Sequence, residues 1–158
     1  YKSAKYTIER PLHLGAAIAG AAPELNEVLS AYGLALGEAF QLRDDLLGVF
    51  GDSSITGKPA GDDLREGKQT MLIAFANSNA NESDKKFLIE NLGNPELSAE
   101  SISKLQSLLV DCGAADFVEN RISDYLAKAL ATIDSLAEKS DAKSALTELA
   151  IIATKRTA

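Results

Sequence analysis

From Pro23 to Phe50 the apolar residues Leu25, Val28, Leu29, Tyr32, Leu36, Ala39, Phe40, Leu46, Leu47 and Phe50 recur at intervals of three and four. That is the period of an α-helix. Pro23 and Glu24 open the segment with a proline and an acid, both favoured in a first helical turn. An apolar stripe this wide belongs to a helix enclosed on most sides. Such a helix needs other helices around it, and the rest of the chain supplies them.

Alternation by two is scarce throughout, so the expected fold class is all-α. A first helix is expected from about Lys2 to Ala21, with a kink or break near Thr7 to Arg10 because Pro11 lies inside it. Its small-residue run, Gly15 to Ala22, permits close approach of a neighbour. Gly51 opens a loop reaching to about Glu66, rich in Gly, Asp, Ser and Pro; loops of that length inside compact domains are usually functional. Helices follow from about Lys68 to Ala76 and from Asp84 to Leu92. Another is capped by Ser98 and runs to Asp111, one extends from Ala114 to about Glu138, and a last is capped by Asp141.

The 158 residues are 46% hydrophobic and 25% charged, enough to build one compact domain with a real core. A net charge of −7 and a pI near 4.7 argue against nucleic acid or an anionic membrane as partner. No apolar run approaches the roughly 20 residues of a membrane span, so stable membrane insertion is not expected. No signal peptide is visible. One cysteine, Cys112, excludes an intrachain disulfide and a multi-cysteine zinc site, and is expected as a small core residue. A reducing, cytoplasmic setting is expected. The opening Tyr1-Lys2-Ser3-Ala4 has no cap or turn signal and reads as a helix entered midway, as in a piece of a longer chain.

Asp44 and Asp45 stand near the end of the long apolar helix. Aspartate is a poor helix former, and negative charge near a helix C-terminus opposes the dipole. A pair there calls for compensation from outside the helix. Gly37, Gln41, Asp44 and Gly48 share one stripe, being three and four apart. The small residues are expected to leave room for a bound group. Magnesium takes oxygen ligands and is typically held by one or two carboxylates plus substrate phosphates. Asp44 and Asp45 suit that role. Downstream, Lys58 lies between Gly57 and Pro59. Lys68, expected at a helix start where a lysine opposes the dipole, asks for an anion. Together they supply cations for the same phosphorylated ligand.

Two other sites fail on spacing. A nucleotide P-loop needs four residues between its glycines, then Lys and Ser or Thr. Here five separate Gly61 from Gly67, and Gln69 follows Lys68. A di-iron bundle needs Glu-x-x-His pairs, whereas the one histidine, His13, reads as a packing residue.

Phe40-Gln41-Leu42-Arg43-Asp44-Asp45-Leu46-Leu47-Gly48-Val49-Phe50-Gly51-Asp52, followed by Thr56-Gly57-Lys58-Pro59 and Gly61-Asp62-Asp63-Leu64-Arg65-Glu66-Gly67-Lys68-Gln69-Thr70, strongly resembles the second aspartate-rich region of trans-isoprenyl (polyprenyl) diphosphate synthases. Tyr1-Lys2-Ser3-Ala4 is similar to that family's Lys-Thr motif, and the whole looks most like actinobacterial geranylgeranyl-type enzymes. The resemblance implies an isoprenoid synthase helical bundle, with residues 1–158 as the C-terminal portion of a single domain. It implies a head-to-tail prenyltransferase that condenses isopentenyl diphosphate with an allylic diphosphate, dependent on Mg2+ and acting as a homodimer. Asp44 and Asp45 would bind metal. Lys2, Ser3 and Lys58 would hold the allylic diphosphate, and Lys68 would lie near it. Phe40 and Gln41 would line the gap where the substrates meet. No nucleophilic residue is needed, because diphosphate departs from the allylic substrate and leaves a cation shielded from water.

Two departures stand out. The family's motif commonly ends in aspartate where this chain has Gly48, with Asp52 as a candidate replacement. The first aspartate-rich motif and the isopentenyl diphosphate site are not among these residues. The alternative function is a non-catalytic regulatory subunit of a heteromeric synthase. A class I terpene cyclase fits less well, since its Asn/Asp-x-x-Ser/Thr-x-x-x-Glu order is missing.

Overall fold

The computed structural model describes residues 4–51, 60–136 and 140–156. Every regular element among them is helical. A π-helix, Ala4–Glu9, leads into α1 (Arg10–Ile18) and the long α2 (Pro23–Phe50). After it come α3 (Asp62–Arg65), α4 (Met71–Asn79), α5 (Glu82–Asn91), α6 (Ala99–Asp111), α7 (Ala114–Asp134) and α8 (Asp141–Lys155). The described residues divide into two compact units, 4–43 with 121–136 and 140–156, and 44–51 with 60–120.

The first unit is organised on Tyr32, Ala35 and Leu36 of α2, Ala129 and Ile133 of α7, and Ala150 and Ala153 of α8. Tyr32, Leu36 and Ile133 are wholly buried, each adding about 1.5–3 kcal/mol of transfer free energy. The Tyr32 hydroxyl donates to the Leu146 carbonyl at 2.6 Å, which satisfies the one polar atom of a sealed ring. Arg43 Nε donates to the Thr154 carbonyl at 2.7 Å, and the Arg156 guanidinium lies 4.3 Å above the Phe40 ring, so both arginines tie the end of α8 to α2.

In the second unit Leu64, Leu72, Ile73, Leu88, Leu105, Leu109 and Val118 are sealed from solvent. Helices α4, α5 and α6 pack on one another. Phe75 stacks on Phe117 with ring centroids 4.6 Å apart, and Gln106 Nε2 donates to the Val49 carbonyl at 2.7 Å.

The structure corrects several boundaries. The expected first helix is a π-helix before Arg10, with no α-helical turn among residues 4–9, and α1 ends at Ile18. Of the loop expected from Gly51 to about Glu66, residues 52–59 lie outside the described residues, and the rest holds α3, entered through Gly61 with φ of +71°. Helix α4 starts at Met71, three residues after Lys68, and runs on to Asn79. Its polar end holds because Ser78 Oγ and Asn79 Nδ2 donate back to the Ala74 and Phe75 carbonyls, the local bonding these side chains favour. Asn81 caps α5, two residues earlier than expected. Ser98 caps α6 as expected, accepting from Ser101 N–H. The cap of α8 is Ser140, with Asp141 as first helical residue; its hydroxyl takes the orphan Lys143 N–H. Helix α7 ends at Asp134. Cys112 is half-buried, not a core residue, and sits at the end of α6.

Candidate functional site

Helix α2 is unbroken from Pro23 to Phe50, so the helical register of Gln41, Asp44, Asp45 and Gly48 is as the spacing predicted. Asp44 and Asp45 are half-buried, and neither is without a partner. One turn past Asp44 comes Gly48. Space above it is expected to be open, and the structure corrects that. The Asp63 carboxylate lies on Gly48 so closely that a methyl there would have even its farther oxygen, Oδ1, only 2.8 Å away. Glycine at 48 is therefore what lets a third carboxylate reach this face of the helix.

Asp63 arrives from α3 and is 5% exposed. A buried carboxylate needs a counter-charge, and Lys68 supplies it: Lys68 Nζ donates to Asp63 Oδ1 and also pairs with Glu66 at 3.3 Å. The hydrogen bond to Asp63 raises the Lys68 ammonium above its ordinary range, against the opposing effect of burial, with help from Glu66. Lys68 does not begin a helix. Its backbone N–H donates to the Asp63 carbonyl at 3.1 Å and Gly67 holds φ of +69°, which turns the chain away before α4. At Gly67 a methyl would lie 2.9 Å from the Cα of Gly93, and Gly93 N–H donates to the Leu64 carbonyl at 2.9 Å. The turn after α5 thus braces the loop that carries Lys68.

In the first unit Phe40 and Gln41 are half-buried, with Arg156 over Phe40. The space above Gly37 is also filled, by the backbone of Ala4, whose carbonyl carbon would be 3.3 Å from a methyl at 37. His13 is half-buried and packs as expected, with Nε2 2.8 Å from Ser30 Oγ. Lys2, Ser3, Asp52 and Lys58 lie outside the described residues.

Asp63 is the member of this constellation that sequence reasoning missed. A signal was available: a mid-helix glycine costs about 1 kcal/mol relative to alanine and asks for a packing reason. Among the described residues no three His, Cys, Asp or Glu side chains already converge on a metal-sized point. Magnesium does not require that, being held by one or two carboxylates with phosphate oxygens and water completing the octahedron. The all-oxygen donors Asp44 and Asp45, with Asp63 seated over the next turn, fit that ion by chemistry.

Residues 1–109 match the family described as Polyprenyl synthetase. The geranylfarnesyl diphosphate synthase of Aeropyrum pernix is 39% identical over 122 residues, 77% of this chain and 37% of that protein. A short chain isoprenyl diphosphate synthase of Methanothermobacter thermautotrophicus is 34% identical over 152 residues, 95% of this chain and 45% of that one. The crystal structure of geranylgeranyl pyrophosphate synthase from Corynebacterium glutamicum, complexed with isoprenyl diphosphate and magnesium, superposes with a TM-score of 0.93 at 46% identity. It covers 99% of this chain and 44% of its own. The chain spans less than half the length of each of these relatives.

Proposed function

The chain belongs to the polyprenyl synthetase family, and we propose that it is the C-terminal portion of a magnesium-dependent, head-to-tail prenyl diphosphate synthase of geranylgeranyl type. The intact enzyme would condense isopentenyl diphosphate with an allylic diphosphate, as a cytoplasmic homodimer. The observation that carries this reading is the Asp63 carboxylate seated on Gly48, one helical turn beyond Asp44, because it brings a further acid onto the turn where the family's motif lacks one here. That contact speaks for the catalytic reading over the non-catalytic subunit.

In this reading Asp44 would hold the metal directly, Asp45 would help through water or a second oxygen, and Asp63 would add a further negative charge on the next turn. Magnesium bound there would neutralise charge developing on the departing diphosphate. Lys2, Ser3 and Lys58 grip the allylic diphosphate. Lys68, an ammonium on a braced loop, serves two anions: Asp63 and the bound diphosphate. Phe40 and Gln41 line the apolar gap, where the ring excludes water and the amide oxygen faces the allylic cation. No helix among the described residues is long and apolar enough to cross a membrane.

Purified intact protein incubated with radiolabelled isopentenyl diphosphate, geranyl diphosphate and Mg2+ is expected to release a labelled polyprenyl diphosphate on its own. Product formed only when a second, catalytic subunit is added would favour the regulatory reading. No product under either condition would refute the proposal. The 158-residue chain alone is expected to be inactive.

A further inference from the structure

Gln106 is a polar side chain on the packed face of α6. Ile102, Gln106 and Leu109 follow one another there at helical spacing; Ile102 and Leu109 are buried and Gln106 is half-buried. An apolar side chain would fill the same space, so the amide asks for a reason. Its Nε2 donates to the Val49 carbonyl at 2.7 Å. Val49 is sealed from solvent and lies in the last turn of α2. A helix cannot pair its last four carbonyls internally. Gly51 N–H takes the Leu47 carbonyl at 2.8 Å, and Gln106 takes that of Val49.

That turn keeps the two metal-binding acids helical. In an α-helix each N–H bonds the carbonyl four residues back, so the N–H of Gly48 pairs with the Asp44 carbonyl and that of Val49 with the Asp45 carbonyl. The turn has a weak point, because glycine is a poor helix former and Gly48 has to be glycine to seat Asp63. The same face of α6 also reaches the other arm of the site. Ile102, four residues before Gln106, packs so closely on Gly61 that a methyl there would lie 2.7 Å from its Cγ2. Gly61 is the N-cap of α3, and its carbonyl takes the Leu64 and Arg65 N–H groups at 3.0 and 3.2 Å. Helix α3 in turn delivers Asp63 to Gly48. One face of α6 thus touches both segments that carry the acids, and Asp63 on Gly48 closes the triangle.

We propose that Gln106 is a positioning residue for the metal site: with Ile102 it fixes the last turn of α2 against the start of α3, and so sets the spacing between Asp44, Asp45 and Asp63. This rests on the proposed function, in which Asp44 and Asp45 bind magnesium. Gln106 touches neither metal nor substrate and acts through the Val49 backbone. Removing a support one step behind the ligands of a metal typically costs about 10–100-fold in metal affinity or activity.

The test compares intact wild type with Gln106→Met, which has similar length and no donor, and with Gln106→Lys, which restores a donor suited to a helix C-terminus. The readouts are amide hydrogen exchange in the metal-free protein and the Mg2+ concentration that gives half-maximal turnover. In Gln106→Met the amides of residues 48–51 are expected to exchange about five to ten times faster, while those of Leu105 and Leu109 keep wild-type protection. The Mg2+ requirement should rise about tenfold, and Gln106→Lys should bring both readouts back towards wild type. Wild-type exchange at residues 48–51 would overturn the inference. Faster exchange throughout the protein, local loosening with an unchanged Mg2+ requirement, or no recovery in Gln106→Lys would make Gln106 a merely structural residue and overturn it equally. Each of these spares the functional reading, whereas a wild type that turns over at no Mg2+ concentration removes both. If Gln106→Met does not fold, Ile102→Val, one methyl smaller at Gly61, takes its place: a smaller rise in the Mg2+ requirement is expected, and an unchanged requirement overturns the inference.

Discussion

Replacing Gly48 with alanine sets two effects of opposite sign against each other. In a helix interior, alanine is favoured over glycine by about 1 kcal/mol. On an open helix face Gly48→Ala would therefore stabilise the protein. In this structure the new methyl would enter the Asp63 carboxylate, whose farther oxygen would be 2.8 Å away. Ordinary carbon–oxygen contact needs more than about 3.4 Å, so the Asp63 side chain must move. It is short and buried, and its shift loosens the pairing to Lys68. Overpacking costs about 1–3 kcal/mol, and the ion pair, with Lys68 half in solvent, contributes about 0.5–1 kcal/mol after screening. The balance is a loss of about 0.5–3 kcal/mol, or a Tm lower by roughly 5 °C for a chain of this size. Thermal unfolding of Gly48→Ala in wild-type and Asp63→Ala backgrounds reads this directly, without catalysis. Destabilisation is expected in the first and stabilisation in the second. Stabilisation in both backgrounds would show that Asp63 does not sit on Gly48.

Two further outcomes follow from buried acids in the first unit. Burial pushes the Tyr32 hydroxyl up to about 12, so stability is fully present below pH 10 and is lost as pH rises towards 12, by about 2–3 kcal/mol. Tyr32→Phe should cost about 1 kcal/mol at neutral pH and lack that extra alkaline loss when urea midpoints are compared across pH 9–12. Glu9 is shifted the other way. Its contribution is present above its unfolded value of about 4.5 and is lost as pH falls through the depressed folded value. In a melting series from pH 7 to 3, the stability gap between wild type and Glu9→Gln should narrow on the acid side; a constant gap would show that Glu9 is not held ionised by its pairing with Lys5.

What could be read from the chain was whatever its physics writes locally. Helix α2 was legible because proline, acid and a wide apolar stripe agree over the whole segment, and α6 because Ser98 is a strong cap. Asp44 and Asp45 were legible as charges in a place where a helix does not want them. Contacts between distant residues were not legible. Nothing near Ala4 signals a π-helix except Pro11; the turn seats Glu9 and Ala4 against Gly33 and Gly37, more than twenty residues away. Asp63 looked like one more loop acid because its meaning depends on Gly48, a contact made only on folding. Lys68 was assigned to a helix start because its neighbours are good helix formers, whereas the left-handed Gly67 delays α4 to Met71. Asp141 and Ser140 are both good caps, and pattern alone did not separate them.

The central claim is that Asp44 and Asp45 bind a diphosphate through divalent metal. Calorimetric titration of a bisphosphonate into the intact protein, with and without Mg2+, for wild type and Asp44→Ala, tests it most directly. The account predicts tight binding by wild type that vanishes when Mg2+ is withheld, and weak, metal-indifferent binding by Asp44→Ala. Equal affinity in all four titrations would contradict it.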